Sequence, residues 1–284
     1  MKAKKSLGQN FLKSTLALKK IIDTGEITHK DTIIEIGPGK GVLTNRLLQH
    51  AGKVIAVEKD DQLILFLKEK FKEQIASGSL VLVHDDILDF SVEQNVLERT
   101  LGRSGDDGQR KFSAENFRGE SENVLHNYKI IANIPYNITG AILKKFLTEK
   151  NQPESMILMV QHEVAKRIVA NDGKESILSI SVKAYGEPKI VMKVPARYFS
   201  PAPKVDSAVI AITNISRKIF EKNKINEPKF WEIVKKGFAH KRKKLSGNLK
   251  NVILDKNTFI KEFGDKRAEN LTLSDWIMLT AGKK

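Results

Sequence analysis

The sequence of 284 residues contains no cysteine. Disulfides, thiolate metal sites and cysteine nucleophiles are therefore excluded, and with them the enzymes that alkylate a pyrimidine ring carbon through a covalent cysteine adduct. Only six histidines are present, and none has the spacing of a metal-binding pair. The sequence therefore predicts a protein without a catalytic metal.

Long apolar segments are also missing. No run of about 18 consecutive apolar residues occurs, so the sequence predicts no transmembrane helix. Residues 1–5 are basic, but residues 7–22 are interrupted by Gln, Asn and Lys and lack the apolar core of a secretory signal. We therefore expect a cytoplasmic protein.

Positive charge, in contrast, is in excess. The chain has 49 Lys and Arg residues against 34 Asp and Glu residues, a net charge of +15. Residues 215–284 hold 18 basic and 8 acidic residues and so carry most of this excess. Such a balance favours a polyanionic partner. We predict contacts to RNA phosphates at the basic run, which we define as Lys241, Arg242, Lys243 and Lys244.

Short apolar segments alternate with amphipathic helical patterns over the first two-thirds of the chain. This order is typical of βαβ units and predicts an α/β fold with a mainly parallel sheet. Apolar residues at helical spacing also predict a helix over residues 60–71. The predicted strands are residues 32–36, 53–57, 80–84, 129–132 and 156–161, followed by an antiparallel edge pair at 189–194 and 208–213.

The pattern changes at two places. Residues 94–127 contain few apolar side chains, and we interpret them as a flexible surface insertion. After about residue 215, helical patterns replace the strands. We therefore predict an α/β domain over residues 1–214 and a helical, basic domain over residues 215–284. The predicted helices of the second domain are residues 229–240, 241–251, 257–263 and 274–279.

The tetrapeptide Asn133-Ile134-Pro135-Tyr136 follows a predicted strand, so it should lie at the carboxyl end of the sheet, where open α/β sheets form their active sites. The Asn133 side-chain oxygen and the Pro135 carbonyl supply two acceptors, which suit the two donors of an exocyclic NH2 group. Tyr136 can stack on the base that carries this group. The alternative is a turn in which Asn133 caps the next helix and Tyr136 fills the core.

A glycine-rich segment, residues 35–41, follows the first predicted strand, at the place where a nucleoside ligand approaches the backbone in such folds. A dinucleotide fingerprint requires a small residue where Val42 stands, so S-adenosylmethionine fits better than a dinucleotide. Glu58 ends the second predicted strand and can hold both ribose hydroxyls. Asp86 follows the third and can accept a hydrogen bond from an adenine amino group.

Segments spread over nearly the whole chain match the motifs of one enzyme family: GQNFL at 8–12, EIGPG at 35–39, VE at 57–58, Asp86, NIPYN at 133–137, FSPAPKVDS at 199–207 and RAENL at 267–271. The chain resembles the bacterial small-subunit ribosomal RNA adenine dimethyltransferases, whose loss gives kasugamycin resistance. The resemblance implies a Rossmann-like class I methyltransferase sheet with a small C-terminal helical domain. It further implies S-adenosylmethionine-dependent N6,N6-dimethylation of two adjacent adenosines near the 3′ end of 16S rRNA, in the small subunit or its precursor.

Carried over position by position, the resemblance implies cofactor contacts at Asn10, Leu12, Gly37, Glu58, Asp86 and Asn133, and we add Gly39 of the same loop. Phe199 matches the family's second aromatic residue near the target base, the alternative being a buried core ring. Lys204 is expected to neutralise a phosphate, unless it is a solvated turn residue. The predicted catalytic residues are Asn133, Pro135, Tyr136 and Phe199.

Other functions compete with this one. Large-subunit rRNA adenine methyltransferases that confer macrolide resistance share two motifs, but usually lack Pro38 and Asp206, so the small-subunit function is favoured. The main alternative of another class is a ribosome-assembly factor that acts mainly by binding immature small subunits. The basic C-terminal region speaks against a protein amide methyltransferase, and Val42 speaks against a dehydrogenase. We expect a monomer.

Overall fold

The computed structural model describes residue 4 and residues 7–92, 128–250 and 262–281. The predicted insertion at 94–127 lies outside the described residues, and so does most of the helix predicted at 257–263.

Seven strands of the described part form one sheet in the order β4-β3-β2-β5-β6-β9-β7. The first five are parallel, whereas β9 pairs antiparallel with β6 and with the edge strand β7. The predicted parallel sheet and its antiparallel edge are therefore confirmed. The strands are β1 Phe11–Leu12, β2 Thr32–Ile36, β3 Lys53–Glu58, β4 Leu80–His84, β5 Tyr128–Asn133, β6 Ser155–Gln161, β7 Glu187–Val194, β8 Phe199–Ser200 and β9 Ser207–Thr213.

The sheet separates two apolar cores. Side chains alternate along each strand, so on β2 Ile33 and Ile34 enter opposite cores, as do Ile131 and Ile130 on β5. Because both faces are covered, the central strands are almost continuously apolar, as parallel strands require. Pro188 is tolerated because β7 lies at an edge, where a missing N–H removes no inner ladder bond.

The helices of the described residues cover both faces. The predicted helix at 60–71 is confirmed as Asp61–Lys70, with Asp60 as its N-cap and Leu63, Ile64 and Leu67 on its buried face. The helices are α1 Thr15–Gly25, α2 Val42–Leu47, α3 Asp61–Lys70, α4 Lys72–Ala76, α5 Thr139–Thr148, α6 His162–Val169, α7 Ile177–Lys183, α8 Lys218–Asn223, α9 Glu227–Gly237, α10 Leu245–Asn248 and α11 Leu273–Ala281.

The C-terminal helices pack on one face of the sheet. Phe220, Phe230 and Trp276 belong to the same buried cluster as Tyr185 and the sheet residue Ile34. The domain division at residue 214 stays a prediction.

The helix predicted at 274–279 is found as α11, slightly longer at both ends, and two other C-terminal helices differ more from their predicted bounds. The helix predicted at 229–240 begins earlier, because Asn226 caps it and accepts a hydrogen bond from the Lys229 N–H. The helix predicted at 241–251 is reduced to α10, because the basic run before it has no apolar side chain to bury. No helix in the described ranges is both long and apolar enough to cross a membrane.

Candidate active site

A cavity of about 260 Å³ opens at the carboxyl ends of β2, β3, β4 and β5. It lies at the switch point of the sheet, because the chain runs outward from β2 to β4 and then returns to β5 on the other side of β2. Most of the predicted site residues line this one cavity: Asn10, Leu12, Gly37, Gly39, Glu58, Asp86, Asn133, Pro135 and Tyr136.

The glycine-rich loop forms one wall of the cavity. Gly37, Gly39 and Gly41 have φ of +64°, +58° and +69°, which side chains rarely adopt. A Cβ at Gly37 would meet no atom within 4 Å, so this backbone faces open space into which a ligand can come close. A Cβ at Gly39 would lie 2.9 Å from the Phe11 ring, so that glycine is needed to let residues 7–12 pack against the loop.

Glu58 ends β3 and is only 6% exposed. One carboxylate oxygen accepts the Gly39 N–H at 3.1 Å, and the other accepts the N–H groups of Lys59 and Asp60 at 3.0 Å each. Burial raises the pKa of Glu58 in spite of these hydrogen bonds. The backbone therefore holds this carboxylate in one orientation beside the cavity.

Asp86 is already engaged on both oxygens. Its Oδ2 accepts a hydrogen bond from Lys59 Nζ at 2.6 Å, and its Oδ1 accepts the Leu88 N–H at 3.0 Å. The Lys59 ammonium lowers the pKa of Asp86, helped by that backbone N–H. Because the Lys59 side chain is 60% exposed, it is free to swing away when a ligand amino group takes its place.

Glu35 also lines the cavity, although it is not among the site residues predicted from the sequence. It lies in β2 with 1% exposure, and burial raises its pKa to about 8, against the opposing effect of neighbouring Thr44. Its Oε2 has no hydrogen-bond partner among the described residues. The signal was visible in the sequence, because a carboxylate inside the apolar strand TIIEI is rare without a specific partner.

Residues 7–12 form a strap across the cavity, and we refer to them as the N-terminal strap. Phe11 and Leu12 form β1, which pairs antiparallel with β8. The Asn10 side chain donates a hydrogen bond to the Gly8 carbonyl at 3.0 Å. The Asn10 carbonyl in turn accepts one from Asn133 Nδ2, also at 3.0 Å. The strap therefore touches the predicted catalytic amide directly.

Asn133 is the last residue of β5. Because its Nδ2 donates to the Asn10 carbonyl, the amide orientation is set, and Oδ1 is the atom left for a ligand. In the described part of the chain, no group donates to Oδ1. The alternative of a helix-capping Asn133 receives no support, because the next helix, α5, has no side-chain cap.

The backbone acceptor predicted at Pro135 is less free than expected. The Pro135 carbonyl accepts the Ile138 N–H at 3.3 Å, because residues Tyr136–Ile138 form a short 3₁₀ helix. The neighbouring Ile134 carbonyl accepts no hydrogen bond from the residues that the structure describes, and Ile134 also lines the cavity. The geometry therefore favours Ile134 over Pro135 as the second acceptor.

The two predicted aromatic residues are placed differently. Tyr136 lines the cavity, and its hydroxyl is hydrogen-bonded to Ser207 Oγ at 2.5 Å. Burial raises the pKa of Tyr136, so the phenol stays neutral. Phe199 is 2% exposed, faces Leu12 across the β1–β8 pair and does not line the cavity. In this conformation Phe199 is a core ring, and its contact with a target base stays a prediction.

The predicted RNA-binding residues lie on the surface. Lys204 and the whole basic run are exposed. Lys244 forms an ion pair with Asp265 at 2.7 Å, and both side chains are more than 60% exposed. Their contacts to phosphate stay predictions. Over the described ranges, no group of three His, Cys, Asp or Glu residues is arranged to hold a metal ion.

Comparison with known proteins shows the family to which this chain is similar. The sequence model of the family described as "Ribosomal RNA adenine dimethylase" matches residues 1–280. A protein of Dehalococcoides mccartyi named ribosomal RNA small subunit methyltransferase A is 41% identical, over 97% of this chain and 87% of its own length. A Fusobacterium nucleatum protein of the same name is 34% identical, over 98% of this chain and 96% of its own length.

Solved structures agree on the fold. A dimethyladenosine transferase from Plasmodium falciparum superposes with a TM-score of 0.70 at 25% identity, covering 95% of both chains. The 23S rRNA methyltransferase ErmE superposes with a TM-score of 0.68 at 21% identity, over 95% of this chain and 98% of its own. The predicted Rossmann-like class I methyltransferase fold is therefore confirmed. With a family match over nearly its whole length and relatives above 30% identity, this chain belongs to the ribosomal RNA adenine dimethylases and is an rRNA adenine dimethyltransferase.

Proposed function

We propose that this enzyme transfers methyl groups from S-adenosylmethionine to N6 of two adjacent adenosines near the 3′ end of 16S rRNA. Each adenosine becomes dimethylated, in the small ribosomal subunit or its precursor, during subunit biogenesis. We further propose that it works in the cytoplasm as a monomer. The observation that carries the proposal is that one cavity joins an open glycine loop, two strand-end carboxylates and an amide oxygen left free for a ligand.

The residues present fit the methyl donor. Gly37 leaves open space beside its backbone, where a ligand can lie. The buried Oε2 of Glu35 has no hydrogen-bond partner among the described residues, and a cation or hydroxyl of the ligand would provide one. Glu58 would hold the ribose hydroxyls, and Asp86 the adenine amino group after Lys59 has moved away. Bound there, S-adenosylmethionine supplies a methyl group on a positively charged sulfur.

The enzyme's task at the other substrate is to make adenine N6 nucleophilic. The N6 lone pair is delocalised into the ring, so the amine attacks only after it pyramidalises. We propose that Asn133 Oδ1 and the Ile134 carbonyl accept the two N6 hydrogens and localise the lone pair. Orientation and acceptors aimed at the developing positive charge supply most of the acceleration.

Proton removal need not come first. The amine becomes strongly acidic only after it has gained the methyl group, so the proton can leave late. In the second transfer, the monomethylated base has one N6 hydrogen left and loses one of the two hydrogen bonds. We therefore expect the pocket to accept a methyl group in place of one hydrogen.

The target adenine has to leave its stack in the RNA and enter the cavity. We propose that Tyr136, whose ring is held by the Ser207 hydrogen bond, supplies a stacking surface for that base. The exposed Lys204 and the basic run then contact phosphates and release counterions. Phe199 joins the stack only if β8 moves, because the ring is buried here.

Methyl transfer to undermethylated small subunits tests the proposal. The enzyme is incubated with radiolabelled S-adenosylmethionine and the subunits, and the label is located by nuclease mapping and nucleoside mass spectrometry. We expect N6,N6-dimethyladenosine at two adjacent positions near the 3′ end of 16S rRNA. Label in large-subunit RNA or in protein, or a product that stops at one methyl group per base, would contradict it.

A further inference from the structure

Asp60 ties the N-terminal strap to the first turn of α3. Its side chain is only 3% exposed. Oδ1 accepts hydrogen bonds from Lys4 Nζ and from the Gln62 N–H, both at 2.9 Å, and Oδ2 accepts one from Gln9 Nε2 at 2.8 Å. Gln9 Oε1 in turn accepts the Lys4 N–H at 2.8 Å. We call these three side chains, Lys4, Gln9 and Asp60, the strap latch.

The latch is a built site and not a chance surface contact. Asp60 is almost fully buried. Burial alone would raise its pKa, but the hydrogen bonds from Lys4, Gln9 and the Gln62 N–H outweigh this effect and lower the pKa. A buried charge with several hydrogen bonds is costly to break, because loss of one partner leaves it unsatisfied. The latch joins residues that are 51 and 56 positions apart, so it fixes the path of the strap and not a local turn.

The strap passes this order on to the catalytic amide. Gln9 precedes Asn10, whose carbonyl accepts the Asn133 Nδ2 hydrogen bond. If the strap shifts, no other group among the described residues holds the Asn133 side-chain amide. A flip of this amide would turn Nδ2 toward the target adenine. The hydrogens of the Asn133 NH2 group would then face the N6 hydrogens, so two donors would meet. The oxygen acceptor that methyl transfer needs would be lost.

We propose that Asp60 is a positioning residue for methyl transfer, holding Gln9 and Lys4 so that the Asn10 carbonyl keeps the Asn133 oxygen toward the substrate amine. This inference rests on the proposed function, because it assigns Asn133 Oδ1 to that amine. A competing explanation is that Asp60 only caps α3 through its hydrogen bond with the Gln62 N–H.

The variant Asp60→Asn separates the two explanations. Asn caps helices about as well as Asp, so α3 should persist in the variant. The new amide loses the charge that Lys4 pairs with and cannot accept at both former oxygen positions. With both substrates saturating, we expect kcat to fall about tenfold or more, because small misplacements of reacting groups have effects of this size.

A second change should restore the latch. In the double variant Asp60→Asn with Gln9→Glu, the carboxylate at position 9 accepts from the amide at position 60 and still accepts the Lys4 N–H. We expect kcat to return to within about threefold of the wild type, whereas Gln9→Glu alone opposes two carboxylates and lowers kcat. The matched control is Asp61→Asn, since this neighbouring carboxylate is 83% exposed and does not line the cavity.

Hydrogen exchange followed by mass spectrometry gives a readout that does not depend on activity. In Asp60→Asn, we expect faster exchange in peptides covering residues 7–12 and unchanged exchange in α3. Faster exchange in α3 with an unchanged strap would overturn the inference and leave only a capping role. So would wild-type kcat in Asp60→Asn, or a double variant no better than the single ones. Absence of label in 16S adenosines with the wild type would instead overturn the proposed function, and the exchange result would still decide whether Asp60 holds the strap.

Discussion

In the cavity, backbone groups orient Glu58 and Asn133, whereas the charged groups of the C-terminal basic run are exposed to solvent. Glu58 accepts three main-chain N–H groups, and the Asn133 amide is oriented by the Asn10 carbonyl. Lys241, Arg242 and Lys243 are exposed, and the Lys244 ion pair is formed by two exposed side chains. The cavity therefore presents groups in fixed orientations, whereas the basic run presents exposed positive charge.

This difference decides how each region should respond to substitution. A group that buried hydrogen bonds hold in one orientation makes a specific contact that no neighbour can replace. Its removal therefore causes a large loss of rate or of binding. Exposed charges are screened by salt, and several of them act on the same phosphate backbone, so each contributes little and their effects add. The comparison therefore predicts large single-site effects in the cavity and small, additive ones on the basic run.

Asn133→Ala should give the largest effect of any single substitution in the cavity. Its oxygen is the acceptor proposed for the substrate amine, and removal of one such preorganised group lowers kcat about 10²- to 10³-fold. Binding of the methyl donor should change much less, because the strap and the carboxylates remain. Single-turnover methyl transfer with saturating donor measures this rate.

The matched control is Asn45→Ala, because Asn45 is exposed on α2 and does not line the cavity. This control should methylate like the wild type. A rate for Asn133→Ala equal to that of the control would remove Asn133 from the mechanism and leave the cavity without its acceptor.

Glu58→Ala should come second and should act on binding rather than on turnover. Loss of a carboxylate that hydrogen-bonds a neutral partner weakens binding by about 1.5–3 kcal/mol, which raises the donor Kd about 10- to 100-fold. The glycine loop also loses an anchor, because the Gly39 N–H donates to this carboxylate. Calorimetric titration with S-adenosylmethionine measures the Kd, with the exposed Glu73→Ala as control. An unchanged Kd would show that the donor does not contact β3.

The elements that the sequence predicted well share one physical property. β2, β3 and β6 are apolar because both faces of a parallel sheet are buried, so their bounds follow from composition alone. Glu58 and Asn133 then mark the carboxyl ends of their strands, and parallel strands bring these ends together. Most of the cavity was therefore predictable before any contact was known.

The features that the sequence left undecided or did not indicate depend on contacts that leave no periodic signal. The strap latch joins Asp60 to residues more than 50 positions away. The Ile134 carbonyl is less engaged than the Pro135 carbonyl, because a 3₁₀ turn occupies the latter. Phe199 is buried because a two-residue strand pairs with another, and strands this short have no recognisable pattern.

Glu35→Gln tests whether burial in the cavity wall carries a stability cost. The ordinary pKa of Glu35 is 4.5, and burial raises it to about 8 in the folded protein. Between these pH values the unfolded chain has lost the proton and the folded one keeps it, so the free energy of unfolding falls as pH rises. The glutamine of the variant has no carboxyl proton to gain or lose, so it makes no such contribution. Its stability relative to the wild type should therefore grow from pH 5 to pH 8 by about 1–3 kcal/mol.

Thermal unfolding without donor at several pH values between 5 and 9 measures this difference. The matched control is Glu73→Gln, which removes an exposed carboxylate that does not line the cavity. Parallel curves for Glu35→Gln and the wild type would mean that Glu35 ionises normally. The cavity wall would then resemble the basic run in being open to water.

Neutralising residues of the basic run should give the smallest effect per residue. Each lost phosphate contact lowers the magnitude of the slope of log K against log salt by about 0.7–0.9. Changing Lys241, Arg242 and Lys243 to Gln together should therefore reduce it by about 2–3, while kcat at saturating RNA stays unchanged. The control carries the same charge change at the exposed Lys19, Lys20 and Lys30, away from the cavity. If both triple variants shift the slope equally, the RNA responds to net charge alone and the basic run has no special place. If a single substitution in the run abolished binding, its side chain would be acting as an oriented contact, as the cavity groups do, and the contrast between the two regions would fail.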